Sequence, residues 1–296
     1  LYHLIFVVKI KNNMRVCIIG SGLSSLALAK ALVNQKIYID VVILKKAFDY
    51  NRSRTLGISK SNIQFFNKNI INIEKIIWKL KKIEIFTDNL RNEKLLNFEN
   101  NNEELFSIVK NHKLYEILHE SLKKNKYYKE INKKKILGLE DNYDLIINTD
   151  FNHIFMKKYF NKKIKKKYDS FAFTSIINHE KISNNVATQI FTKKGPLAFL
   201  PISKHETSIV YSIQNQKNIS KENVKELIKK YNFKYKIKNI NKIDSFELKS
   251  FNLRSYYHNN ILAFGDLLHR IHPLAGQGFN MTIRDIKILI KIINNR

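Results

Sequence analysis

Apolar and polar positions follow two different periods along this chain, and each change of period marks an element. Residues 15–19 (RVCII) form a short β-branched run of strand character. Residues 26–32 (LALAKAL) are strong helix formers, and residues 38–44 (YIDVVIL) are again strand-like. Strand, helix and strand in that order predict one βαβ unit. Further on, residues 62–80 predict a helix with Trp78 as a core anchor, and residues 83–86 alternate as a strand. Residues 103–122 predict an amphipathic helix turning Leu105, Val109, Leu114, Ile117, Leu118 and Leu122 inward. Residues 171–177, 186–191, 197–202 and 208–213 read as consecutive sheet strands, and residues 223–230 as a short polar helix. The chain closes with an apolar strand at 261–264, a loop, and a helix over 280–293. Such an order predicts an α/β cofactor domain assembled from separate stretches around an inserted sheet.

Glycine adds candidate chemistry to this outline. Gly20-Ser21-Gly22-Leu23-Ser24-Ser25 joins the first strand to its helix. Gly20 permits the tight turn, Gly22 lets the main chain approach a pyrophosphate, and Ser25 takes the third small position where helix meets strand. Residues 265–285 (GDLLHRIHPLAGQGFNMTIRD) hold three of the eight glycines, Gly265, Gly276 and Gly278, and one of the three prolines, Pro273. A strand, an acidic Asp266 and a glycine-rich turn feeding a helix make a second site of inward N–H groups with a favourable dipole. The two turns suit the same kind of ligand. After the second strand, where an acidic side chain would accept from a ribose hydroxyl, stand Lys45 and Lys46, which favour a 2′-phosphate; Asp40 lies early in that strand.

Composition narrows the classes. A chain of 296 residues can bury one large α/β domain and a smaller sheet domain. The net charge of +28 invites a nucleic-acid partner. Its lysines, however, are spread along the chain among Asn and Ile, without an arginine-rich helix, zinc-ligand pattern or aromatic RNA-binding signature, so no nucleic acid is expected. The densest basic block, residues 157–167 (KKYFNKKIKKK), reads as a solvated face, with attraction to an anionic membrane surface as the sharper alternative. Cys17 is the only cysteine and sits mid-strand, which excludes an internal disulfide or a cysteine-based zinc site and suits a reducing cytoplasm. His269 and His272 lack a third ligand, so no metal is expected. No apolar run reaches the roughly 18 residues of a membrane span. Residues 1–13 read as an upstream extension and not as a signal peptide.

Gly265, Asp266, His269, Pro273, Gly276, Gln277, Gly278, Asn280 and Asp285, with the string HPLAGQGFN, give the chain its most specific resemblance. Together with the GxGxxS turn they resemble the class A FAD-dependent monooxygenases of the p-hydroxybenzoate hydroxylase fold, most nearly the ubiquinone-biosynthesis hydroxylases (the UbiH and Coq6 group). Residues 54–59 (RTLGIS), 143–150 (YDLIINTD) and 195–202 (GPLAFLPI) fall into line with segments of the same family. Departures are Asn148-Thr149-Asp150-Phe151 in place of the family's GADG, Leu267 and Leu268 in place of two small residues, and Thr282 in place of a glycine. Asn111-His112 replaces the Asn-Arg that opens a cofactor-contacting helix, and His112 reads as a surface residue. The chain stops at Arg296 within a helix, which reads as a C-terminus truncated relative to the family.

The resemblance implies a Rossmann-like FAD-binding domain from three stretches, 14–73, 99–155 and 251–296, and a mainly β substrate domain from 74–98 and 156–250. It implies cofactor contacts by Gly20, Gly22, Ser25, Arg54, Gly265, Asp266, Gly276, Gln277, Gly278 and Asn280. Pro273, Gly276 and Gln277 would form the loop that positions the flavin for catalysis, with no acid or base assigned. The implied activity is hydroxylation of an aromatic, prenylated ubiquinone precursor by O2 through a flavin C4a-hydroperoxide, with NAD(P)H or a protein donor as reductant. Its expected place is the cytoplasm, peripheral at the inner membrane or in a Ubi complex. Two alternatives stand beside it: a catalytically impaired or accessory flavoprotein, and an NADP-dependent reductase of the same fold.

Overall fold

The computed structural model of the chain describes residues 14–43, 52–88, 93–100, 103–132, 142–214, 219–268 and 277–294. In chain order these form β1 (Arg15–Ile19), α1 (Leu23–Val33), β2 (Tyr38–Ile43), β3 (Thr55–Ser59), α2 (Lys60–Asn69), β4 (Ile77–Leu80), β5 (Lys82–Thr87) and β6 (Lys94–Glu99). Then come β7 (Phe106–Lys110), α3 (Asn111–Lys123), β8 (Tyr128–Asn132), β9 (Leu145–Asn148), α4 (Ile154–Lys158), β10 (Lys163–His179), β11 (Val186–Thr192) and β12 (Gly195–Pro201). The last stretch holds β13 (Glu206–Gln214), α5 (Lys221–Tyr231), β14 (Ile237–Ile240), β15 (Asp244–Leu253), β16 (Tyr257–His258), β17 (Ile261–Ala263), a 3-10 turn at Gly265–Leu267, and α6 (Gln277–Asn294).

Three sheets result. The first runs β16-β17-β9-β1-β2-β8, with β17, β9, β1, β2 and β8 parallel. Its central strands are apolar on both faces because helices cover both, as parallel sheets require. Val16, Cys17, Ile18 and Ile19 are fully buried, and α1 buries nearly every side chain from Ser25 to Val33. The second sheet contains β14, β10, β13, β12, β11, β5 and β6 in that order, with β15 also paired to β10. One of its faces packs Leu197, Phe199, Ile209 and Tyr211 beneath Val224 and Ile228 of α5. The third sheet, β3-β7-β4, lies between the other two, and a small cluster of Leu80, Ile108 and Ala187 joins it to the second.

Two sequence expectations change here. The helix expected over 103–122 begins only at Asn111, and its first part is β7, hydrogen-bonded between β3 and β4. Ser107, Ile108 and Val109 are all buried, so FSIVK is a two-sided central strand whose apolar run also fits a helical stripe; the pairing partners decide. The helix expected within 62–80 spans Lys60–Asn69 and stops short of Trp78, which lies on β4 and donates its indole N–H to the Asn184 carbonyl at 2.6 Å. Among the described residues no helix is long and apolar enough to cross a membrane.

Candidate functional site

The parallel strands β1 and β9 end side by side, Ile19 opposite Asn148, and the first glycine turn starts at that edge. Gly20 has φ +112°, a conformation that strains any residue with a Cβ. A methyl group there would also collide with Thr149 Oγ1. That hydroxyl donates to the Ile19 carbonyl at 2.9 Å, so its contact with Ser25 Oγ at 2.7 Å uses the serine as donor. Ser25 is thus fully buried and ties α1 to the end of β9. Gly22 differs from Gly20. Its backbone is extended, it caps α1 without a side-chain hydrogen bond, and a Cβ on it would meet nothing within 4 Å. No acidic residue occupies the first turn of α1. Open space in front of an uncapped, acid-free helix start is the arrangement that accepts a phosphate.

The second turn is laid against the first. β17 pairs parallel to β9, and Phe264 N–H donates to the Asn148 carbonyl at 2.9 Å, carrying the chain to Gly265. Gly265 has φ +67°, and a Cβ there would lie 3.0 Å from the Ser24 Cβ. Asp266 follows, exposed at the surface, and its Oδ1 lies about one van der Waals contact, 4.0 Å, from where a Cβ on Gly278 would stand. Leu267 and Leu268, which replace small residues of the family pattern, are buried in the main core. The Asn148-Thr149-Asp150-Phe151 segment keeps a tight turn without glycine. Asn148, wholly buried, accepts from the Asp150 N–H at 3.1 Å and donates to the Asp150 carbonyl at 3.2 Å. An Asx-type turn therefore substitutes for backbone freedom.

Asn280 holds the start of α6 in place. Its Oδ1 accepts from Ser59 N–H at 3.0 Å and Asn62 Nδ2 at 2.7 Å, and its Nδ2 donates to the Gly57 carbonyl at 2.7 Å. Its amide is therefore directed at β3 and α2. Thr282 is buried and back-bonds to the Gly278 carbonyl at 3.3 Å, which suits a threonine inside a helix. Arg54 is exposed and lays its guanidinium 4.5 Å from the Phe246 ring centre, on β15. Next to it, Ser53 bonds to Thr174 at 2.9 Å and Asp244 at 3.1 Å, and Thr55 bonds to Ser208 at 2.8 Å. These contacts seat the segment before β3 on the face of the second sheet that α5 does not cover. The register puts Gln189, Ala198, Val210 and Thr174 in one row across that face, and the first three are half-buried.

His112, taken from the sequence as a surface residue, is half-buried in the first turn of α3. Its Nδ1 is buried without a hydrogen-bond partner among the described residues. Burial, with Lys113, Lys110 and Arg52 acting in the same direction against Glu116, lowers its pKa. Sequence reasoning also passed over Thr149, Ser24 and Asn62, whose roles depend on partners far along the chain. Gln277 opens α6. Pro273, Gly276, His269, His272, Lys45 and Lys46 lie outside the described residues. Asp40 is occupied elsewhere, pairing with Arg15 at 3.3 Å and accepting from the Tyr143 hydroxyl at 2.8 Å. An open depression of about 480 Å³ lined by Arg15, Tyr38, Asp40 and Lys126 lies by the opening residues of β1 and β2, at the far end from the glycine turns. Open α/β sheets bind ligands at the carboxyl ends of their strands, so the turns and not this depression are the candidate site.

Comparison with known proteins agrees with this geometry. A family model described as "FAD binding domain" matches residues 156–295. The ubiquinone biosynthesis monooxygenase COQ6 of Drosophila melanogaster is 23% identical over 347 residues, covering 92% of this chain and 72% of the fly protein. The 3-demethoxyubiquinol 3-hydroxylase of Escherichia coli is 32% identical over 114 residues, covering 36% of this chain and 29% of that protein. The crystal structure of p-nitrophenol 4-monooxygenase PnpA from Pseudomonas putida superposes with a TM-score of 0.76 at 11% identity, covering 96% of this chain and 80% of that one. The fold is that of the FAD-dependent monooxygenases, and the chain is similar to their class A members, which supports an FAD-dependent oxidoreductase. Within that class of aromatic hydroxylases its sequence relatives include the ubiquinone-biosynthesis hydroxylases.

Proposed function

We propose that the two turns grip opposite parts of one FAD molecule and that the enzyme hydroxylates an aromatic ring of a ubiquinone precursor. The observation that carries this reading is the contact of Ser24 with Gly265, which brings the two glycine turns into one cleft edge. The start of α1 at Gly22, open and uncapped, fits the pyrophosphate. Asp266, beside Gly278, would accept from the hydroxyls of the ribityl chain. Gly276 and Gln277, with Pro273 before them, would present the N-terminal end of α6 to the flavin ring, where the helix dipole favours negative charge. Asn280 serves this by positioning, through its amide bonds to Gly57 and Ser59. FAD when bound supplies the activation of O2, and NAD(P)H or a protein donor supplies the electrons.

The protein's own task is to hold an electron-rich ring near the flavin and to exclude water. The half-open face bearing Gln189, Ala198 and Val210 suits a flat, largely apolar substrate with one polar group. Expression of the chain, extraction of its chromophore and identification by mass spectrometry test the cofactor. Substrate-dependent oxygen uptake with a hydroxylated quinone precursor tests the activity. A colourless folded protein, or oxygen uptake without hydroxylated product, defeats the reading.

A further inference from the structure

We infer that β6 is the interface of a two-fold dimer in which two copies of this chain pair edge to edge. β6 ends the second sheet, and its outer edge meets no strand among the described residues. All six of its residues are exposed, with Leu95, Leu96 and Phe98 at 49%, 51% and 50%. A free edge presents unpaired N–H and C=O groups, which folded chains usually blunt with proline, a bulge or free charge. No proline stands on β6. Its one register shift lies at the start, between the pairings of Ile85 and Phe86, so the ladder is regular from Leu96 to Glu99. Its charged side chains are already engaged, Lys94 with Glu84 at 2.7 Å and Glu99 with Lys82 at 3.1 Å.

Charge favours a second copy at this edge. The chain carries +28, so most approaches of two copies bring lysine against lysine. Residues 82–104 instead hold six acidic and three basic side chains. Salt screens charges beyond about 10 Å, so the local balance decides, and here it opposes no contact between lysines. Symmetry then sets the register. A two-fold axis through an antiparallel pair places one residue opposite its own mate. Centring on Asn97 sets Leu96 opposite the partner's Phe98, twice, with Leu95 opposite the partner's Glu99. Centring on Leu96 would set Lys94 against Phe98 and Leu95 against Asn97, so apolar pairing selects Asn97. Ile83 lies opposite Phe98 and Ile85 opposite Leu96, and opposed residues share a face. Leu96 and Phe98 of both copies therefore join the half-buried Ile83 and Ile85 in one apolar strip. The two Asn97 amides can donate to one another's side-chain oxygens. An edge contact is small, so the dimer forms at about 10–100 µM chain. Neither glycine turn takes part, and assembly and chromophore content can fail separately.

Sedimentation velocity of the full chain from about 1 to 200 µM reads the assembly, and the dimer fraction should rise with concentration. Phe98→Lys, a change at an exposed position, should weaken dimerisation by about tenfold or more. Mixing it with Leu96→Glu should restore a mixed dimer, because the two new charges then stand opposite each other. Asn97→Cys should cross-link under mild oxidation, since opposed residues bring their Cα atoms to about 5.5 Å. Lys94→Cys, about 20 Å from its mate in this register, should not. Cys17 is buried and does not compete. A monomer at every concentration, a dimer indifferent to Phe98→Lys, a mixture that stays monomeric, or equal cross-linking at positions 94 and 97 overturns the proposal. Open polymers overturn it too, since acidic β5–β6 docking on the basic block of residues 157–167 would not close.

Discussion

Ser24 and Gly265, 241 positions apart by their numbers, are in contact: a Cβ on Gly265 would sit 3.0 Å from the Ser24 Cβ. The first residues of α1 and the 3-10 turn after β17 therefore pack with no side chain between them. Gly265 also has φ +67°. Gly265→Ala combines a strained backbone with a tight contact and is expected to cost about 1–3 kcal/mol. Chemical denaturation of the variant and the parent measures it.

The other two glycines of the first turn separate folding from binding. Gly20→Ala meets Thr149 Oγ1 at a backbone of φ +112°, so it should destabilise by about 3 kcal/mol or more. Gly22→Ala meets open space, so thermal stability of the cofactor-free protein should move by less than about 0.5 kcal/mol. Gly22→Val should then lower FAD content with folding intact. Retention of full chromophore in Gly22→Val would remove the phosphate site from α1.

Ser25 and Thr149 share one hydrogen bond deep under that turn. A double-mutant cycle with Ser25→Ala and Thr149→Val should show coupling of about 1 kcal/mol. Additive effects would mean that the 2.7 Å contact contributes nothing of its own.

Asn280→Ala would strand the Ser59 N–H, the Asn62 amide and the Gly57 carbonyl at once. A loss on the order of 2 kcal/mol or more is expected, with protease sensitivity rising near the start of α6. Asn280→Asp, which keeps the acceptor but loses the donor to Gly57, should lose less than Asn280→Ala.

Acid should weaken the fold through His112. Its pKa is lowered by burial, so the unfolded chain binds the proton more tightly than the folded one. The stability tied to the neutral ring is complete above the ordinary histidine value of about 6.5 and is lost as pH falls below it towards the lowered value. His112→Gln should flatten the melting temperature across that range. Cys17 makes a control: burial first, then Asp40, push its thiol up to about 12, so a maleimide at mild alkaline pH should label it only after unfolding.

How much of this was legible beforehand depends on the distance over which each cause acts. The βαβ start, the late strand and helix, and the four sheet strands of the middle are written in runs of five to ten residues, because β-branched runs, helix formers and glycine turns act locally. β7 is not legible locally because its place as a central strand comes from pairing with β3 and β4, and a two-sided apolar strand also satisfies a helical stripe. The sequence lacks the GADG glycines of the family pattern, yet Asn148 rebuilds the turn with its own amide.

From the order of its residues alone the chain determines its alternation of strands and helices, its two glycine turns and the kind of ligand such turns suit. Only the tertiary structure decides that Thr149 closes over Gly20 from 124 residues beyond Ser25, and that Asn280 bridges 221 residues back to Ser59. A hydroxyl or an amide carries no label for its partner in the sequence. Its role is settled when packing of the core places a donor or acceptor within hydrogen-bond reach and removes the water that would otherwise compete.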